Sequence, residues 1–152
     1  MQYRKAQDVD IPAMARIRTE EWGTHDYWVG RISGYLDCTV HPQQALMARV
    51  SYVAVEQDLV VGFIAGHLTR RYGCDGELEW INVSRDCRRD GVASKLLLLL
   101  AHWFSEQSAS KICVNVAPAN TAANRFYARH GAGRLNEHWL IWRDISSVLG
   151  GA

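Results

Sequence analysis

The sequence predicts an α/β fold: a mixed, mostly antiparallel central sheet with one parallel pair, flanked by helices. Three stretches make the prediction. From Val50 to Leu68 the pattern is a β-hairpin, with Val50 to Glu56, a Gln57-Asp58 turn and a nearly continuous apolar second arm, as expected of a central strand covered on both faces. From Glu77 to Val116 a buried strand (about Glu77 to Val83), an apolar helix (Ser94 to Gln107) and another strand (Lys111 to Val116) follow one another. Strand, helix and strand in that order make a right-handed crossover and a parallel pair. Ala132 to Leu135 and Glu137 to Asp144 read as a terminal hairpin completing the sheet.

The remaining elements fit around these. Gln2 to Ala6 has alternating character and suits an edge strand. Asp8 and Asp10 precede Ile11-Pro12, a helix start with an N-cap acid and proline in the first turn. Ile11, Met14, Ile17 and Trp22 follow a roughly helical period to Gly23. Gly62 and Gly66 mark close backbone approach in the central strand. Arg70 to Gly76 is a turn-rich loop. On the strand that follows, alternation puts Glu77, Glu79 and Ile81 on one face and Leu78, Trp80 and Asn82 on the other. Leu96 to Leu100 form an unbroken leucine run, so their helix is buried broadly, by the sheet and another helix or by a second subunit. Pro118 to Asn120 ends the last parallel strand, Asn120-Thr121 caps a further helix, and Gly131 closes it.

With 152 residues the chain is read as one domain, 1–152, able to bury a single substantial core. A net charge of +1 from 17 basic and 16 acidic residues gives no field for gathering nucleic acid or adhering to a membrane. No apolar run approaches a membrane span or a signal peptide, so a cytoplasmic protein is expected. Cys38, Cys74, Cys87 and Cys113 show no C-x-x-C pair and the six histidines no ligand spacing; free thiols and no metal are expected.

Chemistry concentrates in two segments. In the first, Arg88, Arg89, Asp90, Gly91, Val92, Ala93 and Ser94 link the buried strand to the leucine-rich helix. Small residues there let an anion reach the unpaired N–H groups of a helix start, and the helix dipole attracts it. The turn has neither the Walker spacing nor Gly-x-Gly-x-x-Gly. Its bland reading is a strand-to-helix turn with two solvated arginines. In the second segment Asn120, Ala123, Phe126, Tyr127 and Gly131 fall at the spacing Asn-x-x-Ala-x-x-Phe-Tyr-x-x-x-Gly, downstream of Arg88-x-x-Gly91-x-Ala93. Together these motifs resemble the GNAT superfamily of acetyl-CoA-dependent N-acetyltransferases.

That resemblance implies a fold in which the parallel strands splay apart and coenzyme A lies between them. Its arm would bond to backbone around Ile81, Asn82 and Val83, its pyrophosphate would meet the amides of residues 89–94 with Arg88 and Arg89 adding charge, and Asn120 and Phe126 would line the site. Tyr127 would be the general acid that protonates the departing thiolate. A glutamate on the strand would be the general base; Glu77 and Glu79 both lie in range, Glu79 nearer the thioester. The alternative for the pair is a salt bridge to Arg70, Arg71 or another cation. In the family the first helices wall the acceptor pocket, which points to Trp22, Trp28 and Arg31; the alternative is that the tryptophans pack on the sheet, favoured for Trp22. Asp90 departs from the family pattern by placing a negative charge in the pyrophosphate turn, and Ala132 stands where a bulky aromatic is usual.

The expected partner is a small-molecule or peptide amine, with a homodimer possible and no metal. The other reading is a non-catalytic acyl-CoA-binding or regulatory module of the same fold; a weaker one is a site for another anionic nucleotide.

Overall fold

The computed structural model describes residues 1–88 and 90–150. Arg89 therefore lies outside the described residues. In chain order the elements are β1 (Gln2–Lys5), α1 (Ile11–Thr19), α2 (His25–Leu36), β2 (Ala45–Glu56), β3 (Leu59–Thr69), β4 (Gly76–Val83), α3 (Val92–Glu106), β5 (Ile112–Asn115), α4 (Thr121–Arg129), β6 (Gly133–Asn136), β7 (Trp139–Trp142) and a short α5 (Ser146–Leu149). They form a seven-stranded sheet of order β1-β2-β3-β4-β5-β7-β6. Every neighbouring pair is antiparallel except β4 and β5.

The sheet has a core on each face. Over one face lies α3, whose Leu96, Leu97, Leu100 and Phe104 pack on Val61, Ile64 and Leu78. The sheet and α5 cover this leucine-rich helix within the chain. Over the other face α1 and α2 set Met14, Ile17, Trp28, Ile32 and Tyr35 against Val53, Phe63, Ala65 and Trp80. The β2–β3 turn has Gln57 and Asp58 both left-handed, at φ 52° and 63°, the two-residue geometry that matches strand twist. Close approach at the β3 glycines is real: a Cβ on Gly66 would stand 2.9 Å from Leu100 Cδ1, and one on Gly62 3.2 Å from the Asn82 carbonyl.

Several expectations need correction. β2 starts at Ala45, five residues before Val50: residues 45–49, Ala-Leu-Met-Ala-Arg, show no strand alternation and none of them is buried. Asp10 does not cap α1 with its side chain. It is buried, accepts two hydrogen bonds from Arg4 at 2.7 and 3.0 Å, and accepts a third from the Gln7 N–H. α3 starts at Val92, two residues before Ser94, because Gly91 turns the chain left-handed at φ 73°.

Most consequential is a register shift between β3 and β4: Ala65 faces Trp80 while Gly66 faces Leu78. Glu79 is the extra residue of a bulge, which re-aims the side chains beyond it. Leu78 therefore packs under α3 and Trp80 under α2, with Ile81 and Val83 back against the α3 core. The simple alternation of Leu78, Trp80 and Asn82 on one face does not hold.

Candidate active site

Parallel pairing of β4 with β5 spans only Gly76 to Leu78 against Ile112 to Val114. From the bulge onward the strands part, leaving a cleft along the second half of β4. At its outer end Gly91 supplies the left-handed turn into α3, with no side-chain cap on the helix and open space where a Cβ would point. Backbone N–H groups at such a helix start are an anion cradle. Ser94 Oγ is 3.1 Å from His130 Nε2, tying this helix start to α4. Burial and Arg129 push the His130 imidazole below its usual pKa, favouring the neutral ring. Arg88 Nε donates to the Val83 carbonyl and its Nη2 pairs with Glu21 at 3.3 Å, so the guanidinium stands beside the turn. Asp90 is exposed.

At the inner end is Tyr127 of α4, 5% exposed, with its ring edge-on to Trp142. The Trp142 indole is fixed by donating to the His130 carbonyl at 2.9 Å. Burial pushes the Tyr127 phenol well up, and the charge of Arg18 pulls it the other way. Arg18 belongs to α1, on the opposite face of the sheet. Its guanidinium stacks 4.2 Å over Trp28 and donates to Asn82 Oδ1 of β4 at 3.1 Å, whereas Tyr127 sits in the cluster that holds Val114 of β5. The gap between β4 and β5 lies between them.

Under α2, on the approach to the bulge, is a cluster of buried charge. Glu79 Oε2 meets Arg31 Nη2 at 3.2 Å. Burial raises the Glu79 carboxyl above the usual range, with Glu77 adding to the effect and His67, Arg31 and Arg71 opposing it. Glu77 Oε1 meets Arg71 Nε at 3.2 Å and His67 Nε2 at 3.6 Å. The other nitrogen of His67 shares a 2.8 Å hydrogen bond with the Tyr35 hydroxyl. Ligand atoms of His67, Glu77 and Glu79 lie within 4.8 Å of one another, but an arginine already engages each carboxylate. Among the described residues, the buried side-chain polar atoms without a hydrogen bond are Arg18 Nε, Arg31 Nη1, His67 Nε2, Arg71 Nε and Glu77 Oε1. All five belong to residues lining this one face beside β4. Buried polar atoms are bonded almost everywhere in proteins, and two of these five, Arg71 Nε and Glu77 Oε1, meet in the 3.2 Å ion pair described above.

The structure sorts the residues singled out in the sequence. Ile81, Asn82, Val83, Arg88, Asp90, Gly91, Val92, Ala93 and Ser94 all lie along the outer cleft or the turn at its end. The Asn82 side chain, however, is taken by Arg18. Phe126 is half-buried against the α3 core and leans on His130. Asn120 caps α4 by accepting from the Ala123 N–H at 3.1 Å. Glu77 has the arginine partner that the salt-bridge alternative required, and Glu79 has Arg31. Trp22 overturns the packing expectation: it is 58% exposed, because α1 ends at Thr19 and its ring rests on Tyr27 and Trp28 outside the sheet. Trp28 is core, donating to the Trp22 carbonyl at 2.7 Å.

Sequence reasoning missed Arg18, Tyr35 and His67. For His67 a signal existed, a lone histidine in an otherwise apolar central strand. For Arg18 there was none, since arginine on an amphipathic helix is ordinarily solvated. The four cysteines are free, and no helix among the described residues is long and apolar enough to cross a membrane.

A mixed sheet opened between two parallel strands, with a helix start at the mouth, defines an acyltransferase-type fold. Residues 11–132 match the acetyltransferase (GNAT) family, and the chain belongs to that family. Solved structures of similar shape include an aminoglycoside 6'-N-acetyltransferase of Acinetobacter haemolyticus, at 16% identity and TM-score 0.75 over 90% of this chain and 93% of that one. Another is Ard1 of Thermoplasma volcanium, at 21% identity and TM-score 0.74 over 94% and 96%. A third is the PaiA N-acetyltransferase of Thermoplasma acidophilum in complex with coenzyme A, at 12% identity and TM-score 0.71 over 94% and 98%. No curated protein matches the sequence.

Proposed function

We propose that this protein moves an acetyl group from acetyl-CoA to a primary amine by direct attack in a ternary complex. The observation that carries the reading is the cleft beyond Leu78, with the uncapped start of α3 at one end and the Tyr127 phenol at the other. Coenzyme A fits such a cleft because its amide-bearing arm pairs with the free edge of β4 while its diphosphate meets the helix N–H groups.

The acceptor enters on the α1–α2 side, where Glu79 takes a proton from the ammonium. The freed amine attacks the thioester carbonyl, whose oxygen is polarised by a backbone N–H near Ile81. The tetrahedral intermediate collapses, the C–S bond breaks, and Tyr127 gives its proton to the sulfur. Burial alone would make Tyr127 a reluctant donor; the positive charge of Arg18 stabilises the phenolate that forms. Tyr127 is then reprotonated from solvent, and no covalent enzyme intermediate arises.

Aminoglycosides, polyamines, amino acids and peptide N-termini form the acceptor panel to screen by free-thiol release from acetyl-CoA. With the best acceptor, Tyr127→Phe is expected to lower kcat by about 10²-fold or more, the range of a positioned acid, while the Kd for coenzyme A stays within about twofold. Wild-type turnover in that variant, or no thiol release with any amine, contradicts the reading.

A further inference from the structure

We propose that the acceptor amine carries a carboxylate on the neighbouring carbon, as an α-amino acid does, and that Arg18 holds it. The inference rests on the acetyl-transfer reading above and names the class of acceptor for that site.

The observation behind it is a positive charge without a counter-ion. Arg18 is half-buried; its guanidinium stacks 4.2 Å over the Trp28 ring, and its Nη1 donates to Asn82 Oδ1 at 3.1 Å. Both partners are neutral. The other charges on this face are matched, Arg31 with Glu79 at 3.2 Å and Arg71 with Glu77 at 3.2 Å. The acids just after Arg18 in the chain are turned elsewhere, Glu20 to Arg85 and Glu21 to Arg88. Among the described residues no carboxylate comes within ion-pair distance of Arg18, which leaves one surplus cation on the acceptor side. A partly desolvated charge without a partner costs free energy that a bound anion restores.

The free edge of the guanidinium selects the anion. Asn82 takes Nη1 and leaves the edge formed by Nε and Nη2. Nε is buried without a hydrogen-bond partner, and among the described residues the only side-chain hydrogen bond of Arg18 is the one from Nη1. Two parallel N–H groups on such an edge are the fork that receives both oxygens of a carboxylate. Nη2 takes the first oxygen, and a small tilt of the guanidinium about its tether to Asn82 presents Nε to the second. One surplus charge also suits a monoanion better than a doubly charged phosphate.

Position ties this carboxylate to the reacting amine. Arg18 interacts electrostatically with Glu79 and Arg31 on its own side of the sheet and with Tyr127 across the cleft. It is thus within reach of both groups proposed to move protons, and an amine one carbon from its bound carboxylate stands beside the thioester. The carboxylate sits on the acceptor side of Arg18, so the guanidinium remains the nearer charge to the Tyr127 phenol. Trp22 and Tyr27, both exposed and packed on Trp28, give the acceptor's side chain an apolar rest. A polyamine would instead add like charge to an unpaired cation, which selects against it.

The test compares matched acceptors, free L-amino acids against their carboxamides, by thiol release from acetyl-CoA in the wild type and in Arg18→Gln. A carboxamide lowers the basicity of the neighbouring amine, so intrinsic reactivity at neutral pH favours the amide and a preference for the acid comes from the protein. For the best pair the acid is expected to have the higher kcat/KM by about 10–100-fold, the worth of hydrogen bonds between charged groups. In Arg18→Gln that ratio should fall to unity or below. Both acceptors lose rate in the variant through Tyr127, so the ratio alone reads the carboxylate. Arg18→Lys, which keeps the charge and loses the fork, should lower the ratio without abolishing it, and serves if Arg18→Gln does not fold. A carboxamide used by the wild type as well as its acid, or an acid preference undiminished in the variants, overturns the inference and leaves acetyl transfer standing. No thiol release with any amine removes the acetyl-transfer reading itself.

Discussion

The two faces of β4 are built on opposite principles. Under α3 the strand presents Leu78, Ile81 and Val83 to leucines and a phenylalanine, and the interface is apolar. Under α1 and α2 the same strand presents Glu77, Glu79 and Asn82 to Arg31, Arg71, His67 and Arg18. Apolar burial favours folding at about 25 cal/mol per Å², whereas desolvated ion pairs contribute little net stability and cost heavily when one partner is lost. The α3 face of β4 is therefore stabilising along its length, whereas on the α2 face, beside Trp80 in the second core, the strand spends part of that stability to keep charged groups within reach of the cleft. The bulge at Glu79 is the device that separates them, because it shifts the strand's alternation by one residue where the two roles meet.

This contrast is open to being broken. The largest expected effect belongs to Glu79→Gln: kcat/KM of the folded protein should fall by about 10²–10⁴, beyond whatever melting temperature is lost by leaving Arg31 without its carboxylate, checked by steady-state kinetics alongside calorimetry. Leu100→Ala should do the reverse, costing about 2–5 kcal/mol in denaturant unfolding while the folded fraction keeps its kcat. If either variant behaves like the other, the division of labour is wrong. Gly91→Ala should be smaller, since forcing an alanine left-handed costs about 1–2 kcal/mol; coenzyme titration should show weaker binding with kcat preserved at saturation.

Asp10→Asn sits far from both faces and should lower Tm by only about 2–4 °C near neutrality. Its sign with pH is fixed. The hydrogen bonds from Arg4 hold the folded Asp10 carboxyl below its usual pKa, so its contribution is full above the unfolded value of about 3.9 and vanishes as pH falls through the lower folded one. The gap between wild type and variant should therefore close in acid.

The framework was readable in the sequence because it rests on local signals. The crossover from β4 through α3 to β5 and the turn at Gly91 are written in contiguous residues, as is the α4 cap at Asn120. What could not be read depends on distant residues meeting. The Glu79 bulge changes nothing in the residue pattern of β4 and exists only through pairing with Ala65 and Gly66. Trp22 looked like a core residue because its spacing continued the period of α1, yet that helix stops at Thr19 and the ring stays outside. Arg18 was silent for the same reason, since its partner Asn82 lies 64 residues away.

A crystal structure of the protein with coenzyme A bound tests the central claim most directly. The account predicts the diphosphate on the N–H groups of residues 91–94 and the sulfur within hydrogen-bond distance of the Tyr127 hydroxyl. Coenzyme bound outside the β4–β5 cleft, or a sulfur remote from that phenol, would contradict it.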